Sequence, residues 1–273
     1  MSFFRKIIPF LRFHLLSINL RKSKNPFLRF LYREIISQEK DFYDFMKIEK
    51  LCTQLENSKA ELLPSTHGAG SLTINPNQKT TVGKIARATS ISRNGGKILF
   101  RLRNYLQPDV TFELGTGTGI STLYLYAGCK KGKLVTFDGH KELVDVAKSV
   151  LGLSPLPHNH ATDLSQSLKS PFHANTVSFR DGDIFQNLPE ELSKISTLNL
   201  LFIDAAHTCE STLSFFNLCL PKIDENSVFV IHDIHWSKGM EKAWEEITKN
   251  PAVSLSLDLF EMGLVFFGNH SSR

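Results

Sequence analysis

Apolar positions along this chain follow two periods, and the change between them divides it. Phe42, Phe45, Ile48, Cys52 and Leu55 recur at helical spacing with mostly polar residues between them, which predicts one amphipathic helix from Asp41 that Pro64 stops. An aromatic stripe at this spacing is a core face, so the helix is expected to pack over the domain that follows. Val82, Ile85, Ala86 and Thr89 predict a short helix, and Ile98, Leu99, Leu102, Tyr105 and Leu106 a second. From residue 110 short apolar runs alternate with helix-like segments: 110–112, 134–137, 141–151, 176–179, 188–195, 198–203, 211–220 and 228–231. Such alternation builds a parallel sheet covered by helices on both faces, an α/β fold. After residues 236–247 come two strand-like runs, 254–259 and 263–267, joined by Phe260, Glu261 and Met262; these predict a terminal antiparallel hairpin.

Residues 64–80 are rich in Gly, Pro, Ser and Asn and read as a linker loop between a basic N-terminal helical extension, 1–63, and a domain, 81–273. His67-Gly68-Ala69-Gly70-Ser71 in that loop suits an active-site lid or phosphate-binding loop, with a flexible linker the commoner explanation. The stretch 152–175 has prolines and no period, and reads as an insertion loop whose His158 and His160, two apart, could touch a metal but are more commonly just solvated.

With 41% apolar and 22% charged residues, the 273-residue chain has the composition of a soluble protein with room for one sizeable core. Cys52, Cys129, Cys209 and Cys219 lie far apart, which suggests neither a zinc site nor a disulfide framework and makes a reducing cytoplasm the simplest home. The net charge of +5 is unevenly placed: residues 1–34 hold eight Lys and Arg against Glu34, leaving −2 for the remainder. The basic character therefore belongs to a leader and does not argue for nucleic acid as a partner. The apolar run at residues 1–16 is too short and too charged for a membrane span, and no signal-peptide cleavage site follows it. Basic and aromatic residues interleaved on a helix suit peripheral contact with the inner face of a membrane, and equally suit packing on the chain's own domain or on a second copy in a homodimer.

The candidate chemistry centres on Glu113-Leu114-Gly115-Thr116-Gly117-Thr118-Gly119, a glycine-rich turn between a strand-like run and a helix-like run. Glycines there allow positive φ and close ligand approach, while the helix N-terminus presents free N–H groups. Dinucleotide binding wants Gly-x-Gly-x-x-Gly, and Ile120 stands where that third glycine belongs. The segment instead resembles motif I of the class I S-adenosylmethionine (SAM)-dependent methyltransferases, and the terminal hairpin matches the end of their seven-stranded, Rossmann-like sheet. The resemblance implies that Glu113, Gly115, Thr116, Gly117 and Gly119 line the methionine end of SAM. It places Asp138, about twenty residues on, at the ribose hydroxyls, and Asp183 at the adenine amino group. A tight turn without ligand is the plain alternative for the cradle, and turn-forming Asp-Gly pairs for the two acids.

Phe202-Ile203-Asp204-Ala205-Ala206-His207 resembles the fourth-strand end of catechol-type O-methyltransferases, where a lysine general base occupies the position of His207. That implies His207 as base, with a helix-capping histidine as the alternative, and Asp204 at the ligand-bearing strand end beside the cofactor. Residues 230–236 cluster His232, Asp233, His235 and Trp236. In the catechol-type enzymes the acid matching Asp233 and a following Asn help to hold Mg²⁺ with the fourth-strand acid; here Asp204 and Asp233 match but Ile234 replaces the amide, so a divalent metal stays open as an alternative and no metal ligand set is assigned, while His232 or His235 would suit a softer metal. Trp236, Met240 and Trp244 are expected to wall the pocket or fill core. The segments 67–71, 233–237 and 262–267 resemble more closely an uncharacterised bacterial group of class I methyltransferases, in which Asp-Phe stands where this chain has Thr66-His67.

The expectation is a cytoplasmic SAM-dependent methyltransferase acting on a small-molecule, lipid or glycan hydroxyl, with His207 and Asp233 as catalytic residues. Asp204-Ala-Ala-His207 stands where amino-directed nucleic-acid enzymes carry Asn-Pro-Pro-Tyr, which disfavours base methylation. A non-catalytic SAM-binding module and an NAD-linked oxidoreductase are the rival readings.

Overall fold

The computed structural model describes residues 10–268 apart from 12, 16, 63–79, 155–169, 173 and 175. The linker motif at 67–71 and the loop histidines His158 and His160 lie outside the described residues. The chain divides into two compact units, residues 40–194 and residues 1–39 with 195–273.

In the first unit the anticipated amphipathic helix runs Tyr43–Glu56. Its apolar face packs inward, with the Phe45 ring 4.8 Å from Phe100 and 6.2 Å from Tyr124. Two very short strands, β1 (Glu61–Leu62) and β2 (Thr80–Thr81), pair antiparallel. Helices Val82–Thr89 and Arg93–Leu106 follow, and the hydroxyls of Thr81 and Ser92 cap their first turns. Strands β3 (Val110–Leu114), β4 (Lys133–Asp138) and β5 (Val177–Asp181) are parallel, with Glu113 opposite Thr136 and Asp138 opposite Asp181. The near-continuous burial of β3 and β4 is what crossover helices on both faces impose, whereas β5, at the sheet edge, is mostly part-exposed. Arg103 is wholly buried, and its guanidinium donates to Thr111 Oγ1 at 3.0 Å and to the carbonyls of Leu125 and Gly132 at 2.5 and 3.1 Å.

In the second unit β6 (Leu200–Ile203) and β7 (Val228–His232) are parallel, while β8 (Leu255–Asp258) and β9 (Met262–Phe266) form the expected antiparallel hairpin, with β9 on β7. The register sets His232 opposite Met262 and Asp258 opposite Gly263. Gly263 has no room for a side chain because the Trp244 ring lies against it, so Trp244 fills core, as does Met240. Near the N-terminus, Phe27 packs edge-on to Phe266 with ring centroids 5.3 Å apart. The strands make one seven-stranded, mostly parallel sheet in the order β5-β4-β3-β6-β7-β9-β8, the α/β architecture expected. No helix among the described residues is long and apolar enough to cross a membrane.

Candidate active site

The glycine-rich turn leaves β3 with Gly115, Gly117 and Gly119 at φ 101°, 51° and 84°. These left-handed values are open to glycine at no steric cost. At Gly119 close packing is a second constraint, since a Cβ there would lie 2.8 Å from that of Ala147. At Gly117 a Cβ would meet nothing within 4 Å, so space lies open beside the backbone. The turn is tied to β4: the Gly115 and Thr116 amides donate to the Phe137 carbonyl, and the Thr116 and Thr136 hydroxyls bond at 2.6 Å. The Gly117 amide donates to Asp138 Oδ2 and the His140 amide to Asp138 Oδ1, both at 2.8 Å. Burial pushes the Asp138 carboxyl above its usual range, and these two amides pull it back towards the ionised form. Gly115, Thr116, Gly117, Gly119 and Asp138 are thus brought together.

Two further acids of the set have partners within the protein. Glu113 is wholly buried and accepts a 2.6 Å hydrogen bond from the Thr122 hydroxyl, locking the first turn of helix Ile120–Gly128 to the strand end. Asp183 is exposed at the end of β5, where its Oδ1 caps helix Ile184–Ser193 by accepting from the Phe185 amide at 2.9 Å.

In the second unit, Asp204, His207, His232 and Asp233 converge at the ends of β6 and β7. His232 Nδ1 lies 2.7 Å from Asp204 Oδ1 and 3.8 Å from Asp233 Oδ2, and its Nε2 lies 3.4 Å from Glu261 Oε1. His207 Nε2 is 3.7 Å from Asp204 Oδ1, and its Nδ1 is 3.9 Å from Asp233 Oδ2. His207 does not cap the helix that follows; Thr208 does, accepting from the Ser211 amide. His232 is buried, which favours the neutral ring, yet the Asp204 carboxylate and the bonds to Asp204 and Glu261 hold its pKa well above the usual histidine value. His235 is raised too, first by its 2.7 Å bond to Asp258, against burial and with help from Glu241. Ala206, His207, Asp233 and Phe260 all adopt positive φ at this rim. Strain of that kind costs about 1–3 kcal/mol per residue and gathers at working sites.

Glu261 and Asp258 are partners that the sequence did not disclose. The Asp233 amide donates to the Glu261 carbonyl at 2.7 Å, a consequence of the β7–β9 register; an acid between two apolar runs was the local signal for Glu261, and Asp258 lies within the first of those runs. Ile234 is wholly buried and adds no oxygen to the rim. Among the described residues no group of three or more His, Cys, Asp or Glu side chains is disposed to hold a metal ion.

Residues 112–234 match a family model described as a methyltransferase domain. No curated protein matches the sequence. Among solved structures, an O-methyltransferase from Bacillus cereus in complex with SAH is similar at 16% identity and TM-score 0.53, over 87% of this chain and 96% of that one. The O-methyltransferase TomG from Streptomyces achromogenes, in complex with SAM, is similar at 14% identity and TM-score 0.53, covering 93% and 100%. An SAH-bound methyltransferase from Podospora anserina is similar at 13% identity and TM-score 0.52, covering 85% and 100%. Likeness at such identities establishes the fold.

Proposed function

We propose that this chain, which carries a methyltransferase domain on the class I SAM-dependent methyltransferase fold, binds SAM over residues 115–119 and Asp138 and methylates an acceptor hydroxyl. The observation that carries the cofactor reading is the Gly117 amide fixed to Asp138 beside open space. A carboxylate has about four lone-pair sites, and two amides occupy two, so Asp138 retains capacity for ribose hydroxyls. Asp183, exposed at the end of the neighbouring strand, is suited to the adenine amino group. Glu113 supports the cradle from below by holding Thr122. Bound SAM supplies an electrophilic methyl group.

His207 supports the oxygen-directed reading. It is part-exposed, is not used as a cap, and stands between Asp204 and Asp233, with a ring nitrogen 3.7 Å from the first carboxylate and the other 3.9 Å from the second, where it could receive a hydroxyl proton. That the solved neighbours from Bacillus cereus and Streptomyces achromogenes are O-methyltransferases supports this reading.

The acceptor class we favour is a small-molecule, lipid or glycan hydroxyl. Exposed Phe10, Leu11, Leu15 and Ile18 beside Arg21, Lys22 and Lys24 support presentation at an anionic membrane surface. His207→Ala tests the reading: we expect SAH affinity to be retained and turnover lost across a panel of hydroxylated acceptors. Equal turnover by the variant would remove His207 as base.

A further inference from the structure

We propose that residues 10–24 form a docking surface for an anionic lipid bilayer and that Phe10 and Phe13 clamp this surface to the acceptor rim, bringing the rim to the bilayer. The inference deepens the hydroxyl-acceptor reading by tying the membrane to the site, and it rests on that reading only for the reaction. Phe10, Leu11 and residues 13–15 are helical. The Phe10 ring meets Phe260 edge-on with centroids 5.2 Å apart, and the Phe13 ring lies tilted to Phe260 at 5.5 Å. Phe260 in turn stacks on His235 at 5.2 Å, and Glu261, the next residue, brings its Oε1 to 3.4 Å from His232 Nε2. The segment is thus fixed to the turn between β8 and β9, at the edge of the rim that carries His232 and Asp233.

Leu11 and Leu15, one helical turn apart and so on one face, are open to solvent at 53% and 84% exposure, and Ile18 follows at 71%. Apolar side chains gathered in water to this extent gain by leaving it. Arg21, Lys22 and Lys24 are exposed just beyond them, and no acidic residue precedes Glu34 in the sequence. The charge decides the occupant. Leucine and isoleucine alone would equally suit a second copy of the chain, but a two-fold pairing of this surface would set its basic residues against themselves. An anionic leaflet offers hydrocarbon to the first group and phosphates to the second, the two signals that stable attachment to a bilayer calls for together.

The test is co-sedimentation of the full chain with vesicles of phosphatidylcholine alone and of an equimolar mixture with phosphatidylglycerol. We expect binding to the mixed vesicles only, weakened about tenfold or more by Leu15→Ser with Ile18→Ser, and as much by Arg21→Gln with Lys22→Gln and Lys24→Gln, since each charge near such a surface is worth about fivefold. All of these side chains are exposed, so neither variant removes core. No binding, equal binding to both vesicle types, binding that either variant leaves unchanged, or a dimer that Leu15→Ser with Ile18→Ser dissociates would overturn the proposal. The clamp is read by Phe260→Trp on mixed vesicles carrying brominated lipid: the added fluorescence should be quenched beyond that of the wild type, and vesicle binding without this quenching would place the rim away from the bilayer and overturn the coupling. SAH calorimetry on the same samples reports separately on the cofactor, so failure of docking and failure of the methyl-transfer reading give different results.

Discussion

One oxygen of Asp204 faces two histidines of unlike exposure: His232 Nδ1 at 2.7 Å and His207 Nε2 at 3.7 Å, with the first side chain 7% exposed and the second 30%. Burial favours the neutral form of the first ring, but the Asp204 carboxylate holds its pKa well above the usual histidine value, while the second ring is part-exposed. The resemblance to catechol-type enzymes concerns His207 alone; the contacts of His232 with Asp204 and Glu261 come from the packing.

Stability should depend on pH through His232 and His235. Both have folded pKa values above the ordinary 6.5, His232 through Asp204 against burial and His235 chiefly through its bond to Asp258. Their stabilising contribution is therefore complete below the unfolded value and is lost as pH rises through the folded ones. Thermal melts are expected to show a midpoint that declines from about pH 6.5 upward, and Asp258→Asn should flatten the His235 part of that decline. A midpoint rising over the same range would contradict the assignment.

Asp138→Asn should weaken SAH binding by about tenfold or more, since the amide cannot accept from both backbone N–H groups and still serve two ribose hydroxyls. Isothermal calorimetry, with circular dichroism to confirm folding, measures this.

His207→Ala should lower turnover by about 10²–10⁴-fold, the range for a positioned general base. Its melting temperature should stay close to that of the wild type, because Thr208 keeps the helix cap. Single-turnover methyl transfer from labelled SAM distinguishes this from a loss of cofactor binding.

Arg103→Met should destabilise the fold by about 3 kcal/mol or more, because it strands the Leu125 and Gly132 carbonyls in the core. Burial draws the guanidinium down to about 10, against the Coulombic effect of Cys129 and Glu113. Urea denaturation reads the loss.

The legible part of the fold was the part built from local pattern. Short apolar runs gave the strands, and the stripe of Phe45, Ile48 and Cys52 gave a helix that does pack inward. The fingerprint at residues 115–119 carried its own backbone requirement, which is why Gly117 and Gly119 appear at positive φ. What escaped depends on register and burial. Glu261 reaches His232 only because β9 pairs with β7, a contact no window of sequence contains. Arg103 looks like a surface residue in a polar helix until the helix turns it inward. The acid before the cradle was visible, but its direction was not: Glu113 bonds Thr122 beneath the turn. The pair β1–β2 is too short to carry a period.

Calorimetric titration with SAH tests the cofactor cradle, with NADH and Gly117→Val as controls. At φ 51° with open space beside it, Gly117→Val introduces both a strained backbone and a side chain in the ligand's path. We predict micromolar SAH binding by the wild type, none by Gly117→Val and none of NADH by either. A folded wild type that fails to bind SAH would contradict the account.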